Sequence, residues 1–156
     1  MAQFSIEIKS HKNEVMAALN GNIRTALEAV GVQAVSHAKQ VITDTLVYGG
    51  VNLQAVAHEK DNSRVDTGRL RNSIAHTVQN NEVYIGTNLS YAAFHELGTG
   101  IYASQPGGRT SPWIYQDRNG ATHFTRGLYP IHFLKKAASE HTEEYKAIIK
   151  RIMTGE

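Results

Sequence analysis

Residues 91–100 read YAAFHELGTG, and what decides the fold is whether a helix runs through them or stops inside them. A continuing helix would carry His95 and Glu96 as the opening of an H-E-x-x-H zinc-protease motif. Such a motif sets two imidazoles one turn apart on the metal and aims the glutamate at the bound water. The position that must supply the second imidazole is Thr99. The run Gly98-Thr99-Gly100 also ends a helix where the motif needs it to go on. The stretch therefore predicts a short helix from Ser90 to Leu97, with Ser90 as its N-cap and Gly98 at a terminus of positive φ. His95 is assigned no metal.

Toward the N-terminus, Phe4, Ile6 and Ile8 alternate with polar residues, the period of a half-buried strand. Val15, Leu19, Ile23, Leu27, Val30, Ala34, Ala38 and Val41 then recur every three or four residues and predict a long amphipathic helix over 12–43. Gly21 and Gly31 weaken its interior and mark places for a bend. Residues 44–68 lack periodicity. From Ile74, alternating residues around Asn80-Asn81 predict an antiparallel hairpin over 73–87.

Toward the C-terminus, residues 98–127 are rich in glycine and read as an extended excursion. Within it, Trp113-Ile114-Tyr115 and His123-Phe124-Thr125 flank Asn119-Gly120, a two-residue turn signal, and predict a second, projecting hairpin. Pro130 suits the first turn of one last helix, whose apolar side runs through Phe133, Ala137, Tyr145, Ile148 and Ile152. The expected architecture is a single α+β domain over 1–156: a small antiparallel sheet packed against a long N-terminal and a C-terminal helix.

The chain has 156 residues, 16 basic and 14 acidic, for a net charge of +2. That balance demands neither a nucleic acid nor a membrane as partner. Cysteine is absent, which removes disulfides and thiolate chemistry. The first residues lack the apolar run of a signal peptide, so synthesis and retention in a cytosol are expected. Asp66-Thr67-Gly68 matches the aspartic-protease triplet, whose mechanism needs two carboxylates sharing a proton. Here polar Asn62-Ser63-Arg64 precedes it and Arg69 follows. A cap on the turn entering 69–73 accounts for Asp66 or Thr67 better. The eight histidines form no i, i+4 pair, and His132 and His141 fall on opposite helix faces, so no metal and no cofactor are expected.

Taken in order, Asp66-Thr67-Gly68-Arg69-Leu70-Arg71-Asn72-Ser73-Ile74, Val83-Tyr84-Ile85-Gly86, Tyr91 to Thr99, and Pro130-Ile131-His132-Phe133-Leu134 closely resemble the head-tail joining, or neck, proteins of long-tailed bacteriophages. The family signature runs D-T-G-x-L-x-x-S-I, V-x-I-G, Y-A-x-x-x-E-x-G-T and P-x-x-F-L/F-x-x-A. Within it Asp66, Thr67, Gly68, Leu70, Tyr91, Glu96, Gly98, Thr99, Pro130 and Phe133 carry the match, while His95 holds a variable position. The chain departs from the pattern in the 100–127 excursion and in the long loop before Asp66.

The resemblance implies a virion protein without turnover chemistry, acting at the head-tail junction after assembly in the host cytoplasm. It implies a cyclic ring, six-fold, contacting connector, head-closure or tail-tube proteins, with DNA passing through unread and no membrane involved. Segments 44–65 and 100–127 are expected to order on assembly, with Trp113, Tyr115 and Phe124 as interface anchors. Glu96 is expected to accept hydrogen bonds from the Asp66-Thr67-Gly68 turn or to meet a basic residue of a neighbouring subunit. Two other readings stay open. One is a hydrolase on Asp66 or on His95 and Glu96. The other is a nucleic-acid-binding module using Arg64, Arg69, Arg71, Arg109, Arg118 and Arg126 with Trp113 or Tyr115 for stacking.

Overall fold

A computed structural model describes residues 11–47, 68–116 and 120–155. The predicted strand at Phe4–Ile8, the loop residues 48–67 with Asp66 and Thr67, and Asn119 lie outside the described residues.

Helix α1 spans Lys12–Val47 and continues through Asp44 and Thr45, where the lack of apolar periodicity had suggested a loop. It also passes through both glycines unbroken. Its buried ridge is Ala26, Val30, Ala34, Ala38 and Ile42, a strict i+4 row. Three of these are alanines, which lets neighbouring elements come close to the helix axis. Gly31 takes the same logic further. The His76 imidazole rests on its backbone where a β-carbon would stand, and His76 Nε2 meets Glu28 Oε2 at 2.9 Å. The glycine expected to bend α1 is a seat for the first hairpin.

That hairpin is β1 (Ala75–Gln79) paired antiparallel with β2 (Glu82–Gly86), in the register Ala75↔Gly86 to Gln79↔Glu82. Asn80 and Asn81 both take left-handed backbone, φ 51° and 62°, the geometry of a type I′ turn, whose twist matches that of the strands. His76 and Val78 face α1 and their neighbours face solvent, as the alternation predicts. Ahead of the hairpin, Arg69–Ser73 forms a one-turn helix, α2, rather than the start of the strand.

The core lies between α1, α2, the hairpin and the C-terminal segment. Ala38, Ile42, Leu70, Ile74, Ala92, Ile131, Phe133 and Ala137 are all buried in one cluster, with Tyr91 and Leu134 packed on its rim. Phe133 and Ile42 are its largest fully enclosed side chains.

The single C-terminal helix expected from the apolar spacing is two helices, α4 (Phe133–Ser139) and α5 (Thr142–Thr154). Across the break, the Tyr145 hydroxyl donates to the Ala137 carbonyl at 2.5 Å. Pro130 precedes α4 instead of occupying its first turn. Both helices pack on α1, yet α5 buries no residue completely.

The second hairpin, β3 (Trp113–Gln116) with β4 (Thr122–Thr125), forms a separate two-stranded sheet. Its last described pair is Gln116 with Thr122, and the expected Asn119-Gly120 turn falls on residues that are not all described. Among the described residues, no helix is long and apolar enough to cross a membrane.

Candidate functional site

Helix α3 spans Ala92–Leu97 and starts without the expected Ser90 cap. Tyr91 occupies the N-cap position, no side chain caps the helix, and the turn is closed by Ala92 N–H donating to Leu89 O. Its C-terminal end is as predicted. Gly98 is buried, has φ 75°, and its N–H donates to Phe94 O at 3.0 Å. A β-carbon on Gly98 would stand 2.7 Å from Tyr102 O and 2.8 Å from both Leu128 O and Pro130 Cδ.

Past Gly98 the chain pairs with the segment that leads into α4. Thr99 N–H donates to Leu128 O at 2.8 Å, and Leu128 N–H returns a bond to Thr99 Oγ1 at 2.9 Å. Ile101 N–H donates to Arg126 O. Gly100 and Gly127 face each other so closely that a β-carbon on either would strike the other segment's backbone. The 100–127 excursion thus has a pinned base, and only its outer part projects.

Among the described residues, Glu96 takes a role that neither expectation named. Its Oε2 accepts from Leu134 N–H at 2.9 Å and its Oε1 from Lys135 N–H at 3.0 Å. These are first-turn amides of α4, which no intrahelical carbonyl can satisfy. The residue at the local N-cap, His132, sits at φ 56° and ψ 41° and provides no side-chain cap. A carboxylate 38 residues upstream replaces it, and its charge is well placed at the positive end of the helix. His132 is held elsewhere: the Ser104 hydroxyl donates to Leu97 O at 2.9 Å and meets His132 Nε2 at 3.3 Å.

The motif residues that are described, which exclude Asp66 and Thr67, therefore meet in one structural joint. Gly68 is buried at φ 66°, and its carbonyl receives Asn72 N–H at the start of α2. Leu70 and Phe133 share the core, Tyr91 packs on it, and Glu96, Gly98, Thr99 and Pro130 lock α3 to α4. The Glu96 carboxylate is engaged with backbone amides, and the neighbouring His95 stands edge-on to Tyr91.

The second hairpin is the contrasting region. Ile114 and Phe124 are directly opposed across the strands and are 67% and 62% exposed. On the other face Trp113 is half-buried under the Arg109 guanidinium at 5.3 Å, and Tyr115 stacks on His123 at 5.2 Å. A second apolar set stands on the N-terminal part of α1, where Val15, Met16 and Leu19 are exposed on one side of the helix. Of the arginines of the nucleic-acid reading, Arg69 and Arg71 lie on α2, Arg109 covers Trp113 and Arg126 follows β4, while Arg64 and Arg118 lie outside the described residues. A broad open groove of about 1130 Å³ runs along α2 and the first hairpin, past Asn72, Thr77, Tyr84 and Thr87. Among the described residues its lining carries no carboxylate, and its one histidine, His76, is paired with Glu28 of α1.

One cluster had no signal in local spacing. His37 on α1 stacks on His141, with ring centroids 3.4 Å apart, and both approach Glu144. Burial pushes the His37 imidazole below its usual value, His141 pushes it the same way, and Glu144 opposes both. Comparison of the chain with family models, with curated proteins and with solved structures gives no match.

Proposed function

We propose that this chain is a structural protein of the neck of a long-tailed bacteriophage, forming a ring that joins or completes the head-tail connection, without turnover chemistry. The ordered sequence motifs support this reading, and so does what their residues do. Tyr91, Glu96, Gly98, Thr99 and Phe133 build a rigid joint, which suits a scaffold that presents surfaces rather than a site that converts substrate.

The observation that carries the proposal is the pair of uncovered apolar patches on different elements. A closed ring needs a heterologous interface, in which two different surfaces of each subunit meet. Val15, Met16 and Leu19 on α1 supply one such surface, and Ile114 with Phe124 on the second hairpin supplies another. Among the described residues the hairpin makes no extensive contact with α1, which leaves the two surfaces for separate neighbours. A six-fold ring would place connector, head-closure or tail-tube proteins on its two faces and let DNA pass without sequence recognition.

Electron microscopy of phage particles carrying a gold label on this chain tests the proposal. The expected result is label at the head-tail junction. Label confined to the capsid shell or tail tip, or particles without the chain, would refute it.

A further inference from the structure

We infer that His37, His141 and Glu144 form a binding site for one divalent transition-metal ion of the zinc type, clasping α1 to α5. The site does not depend on the neck reading, because it rests on donor chemistry alone.

The three donor atoms lie within 4.8 Å of one another. Glu144 Oε2 is 3.3 Å from His37 Nε2 and 3.5 Å from His141 Nδ1. Tetrahedral zinc, with bonds of about 2.0–2.2 Å, spaces its donors about 3.3–3.6 Å apart. Two imidazoles and one carboxylate are also the donor set of zinc sites that keep a fourth position open. Glu144 and His141 are part-exposed, so an ion can reach them from solvent.

A supporting hydrogen-bond chain fixes the tautomer. The Tyr145 hydroxyl donates its proton to Ala137 O, so toward His37 Nδ1, 3.0 Å away, it can only accept. Nδ1 of His37 therefore carries the hydrogen, and the Nε2 lone pair is turned toward Glu144. Metal-bound histidines are oriented in this way, by a partner on the second ring nitrogen. Without a cation, a lone pair and a carboxylate face each other at 3.3 Å. The only donor to Nε2 among the hydrogen bonds seen here is the Gln33 amide, at a long 3.3 Å.

The imidazole rings stack at 16°, so coordination requires His141 to tilt out of the stack. It is one-third exposed and sits at the N-cap of α5, where such a rotation disturbs no core residue. The consequence for the fold is specific. Helix α5 buries no residue completely, and a metal clasp would fasten it to α1 more firmly than the ring stack and the His37–Tyr145 hydrogen bond do.

The test uses the tag-free full chain, stripped with chelator and titrated with Zn²⁺ and with Co²⁺. One ion per chain is expected, with a visible Co²⁺ spectrum of four- or five-coordinate type and a higher melting temperature. H141Q and E144Q remove donors at part-exposed positions, so circular dichroism should remain unchanged while the spectrum and the stoichiometric binding are lost. Y145F keeps every donor but removes the orienting hydroxyl, and should weaken affinity about 10- to 100-fold. No binding by the parent, binding undiminished in both H141Q and E144Q, or loss only on H11Q, at an exposed histidine just before α1, would each overturn the inference.

Discussion

The joint at 95–104 and 126–135 and the hairpin at 113–125 belong to one excursion of the chain, yet they are built on opposite principles. In the joint, polar groups are matched inside the molecule: Glu96 caps α4, Thr99 and Leu128 exchange hydrogen bonds, and glycines admit backbone contacts that no side chain would allow. In the hairpin, Ile114 and Phe124 present apolar surface to solvent. The difference teaches that the recognisable motif is the part of the protein that makes it rigid. Under the proposed function the surface for partners falls to exposed residues outside the motif, so a motif substitution should unfold and a hairpin substitution should disconnect.

The largest expected effect is at Gly98. Gly98→Val adds a branched side chain where φ is 75° and three atoms stand within 2.8 Å of the β-carbon position. Left-handed backbone and overpacking together should cost roughly 2–5 kcal/mol, read as a lowered denaturation midpoint. A variant that melts like the parent would mean the joint is not tight.

Next in size is Glu96. Glu96→Ala leaves two first-turn amides of α4 without acceptors and should destabilise by about 1–3 kcal/mol. Glu96→Gln retains one acceptor oxygen and should lose less. Equal losses in the two variants would show that charge at the helix terminus, rather than hydrogen bonding, dominates.

Smaller still is the predicted effect of the double change Ile114→Ser and Phe124→Ser on stability. Surface substitutions of this kind stay within about 0.5 kcal/mol. Incorporation into particles should nevertheless collapse. Normal incorporation of the variant would remove the hairpin from the interface.

Parts of this contrast are legible in the sequence, and the reasons are local. Helix α1 announces itself by spacing, and the first hairpin by Asn80-Asn81, because both signals act over a few residues. Gly98 is readable for the same reason. The role of Glu96 is not, because the first amide it caps, that of Leu134, lies 38 residues later and the cap depends on His132 adopting left-handed backbone. The α4–α5 break is hidden because apolar spacing continues across it, while the Tyr145 bond to Ala137 is a tertiary event. His37 and His141 are brought together only by the packing of α5 on α1.

The smallest effect concerns pH. With a chelator present, His37 titrates below its ordinary value of 6.5 in the folded chain, chiefly through burial and then through His141, against the opposing pull of Glu144. The unfolded chain therefore binds more protons as pH falls from 6.5 toward the folded value, and folding stability should decline across that window. Besides those two groups, Tyr145 faces the ring. Replacing His37 with Asn should flatten the decline, measured as denaturation midpoint against pH.

Amide hydrogen exchange on the free chain and on assembled particles compares the two regions most directly. Amides of Gly98, Thr99, Ile101, Leu128, Leu134 and Lys135 should be protected equally in both states, because their acceptors lie within the chain. Those amides of residues 113–116 and 122–125 that the β3–β4 ladder leaves pointing outward should gain protection only on assembly. Hairpin protection that is already complete in the free chain and unchanged in the particle would contradict the account, leaving Ile114 and Phe124 as ordinary exposed surface.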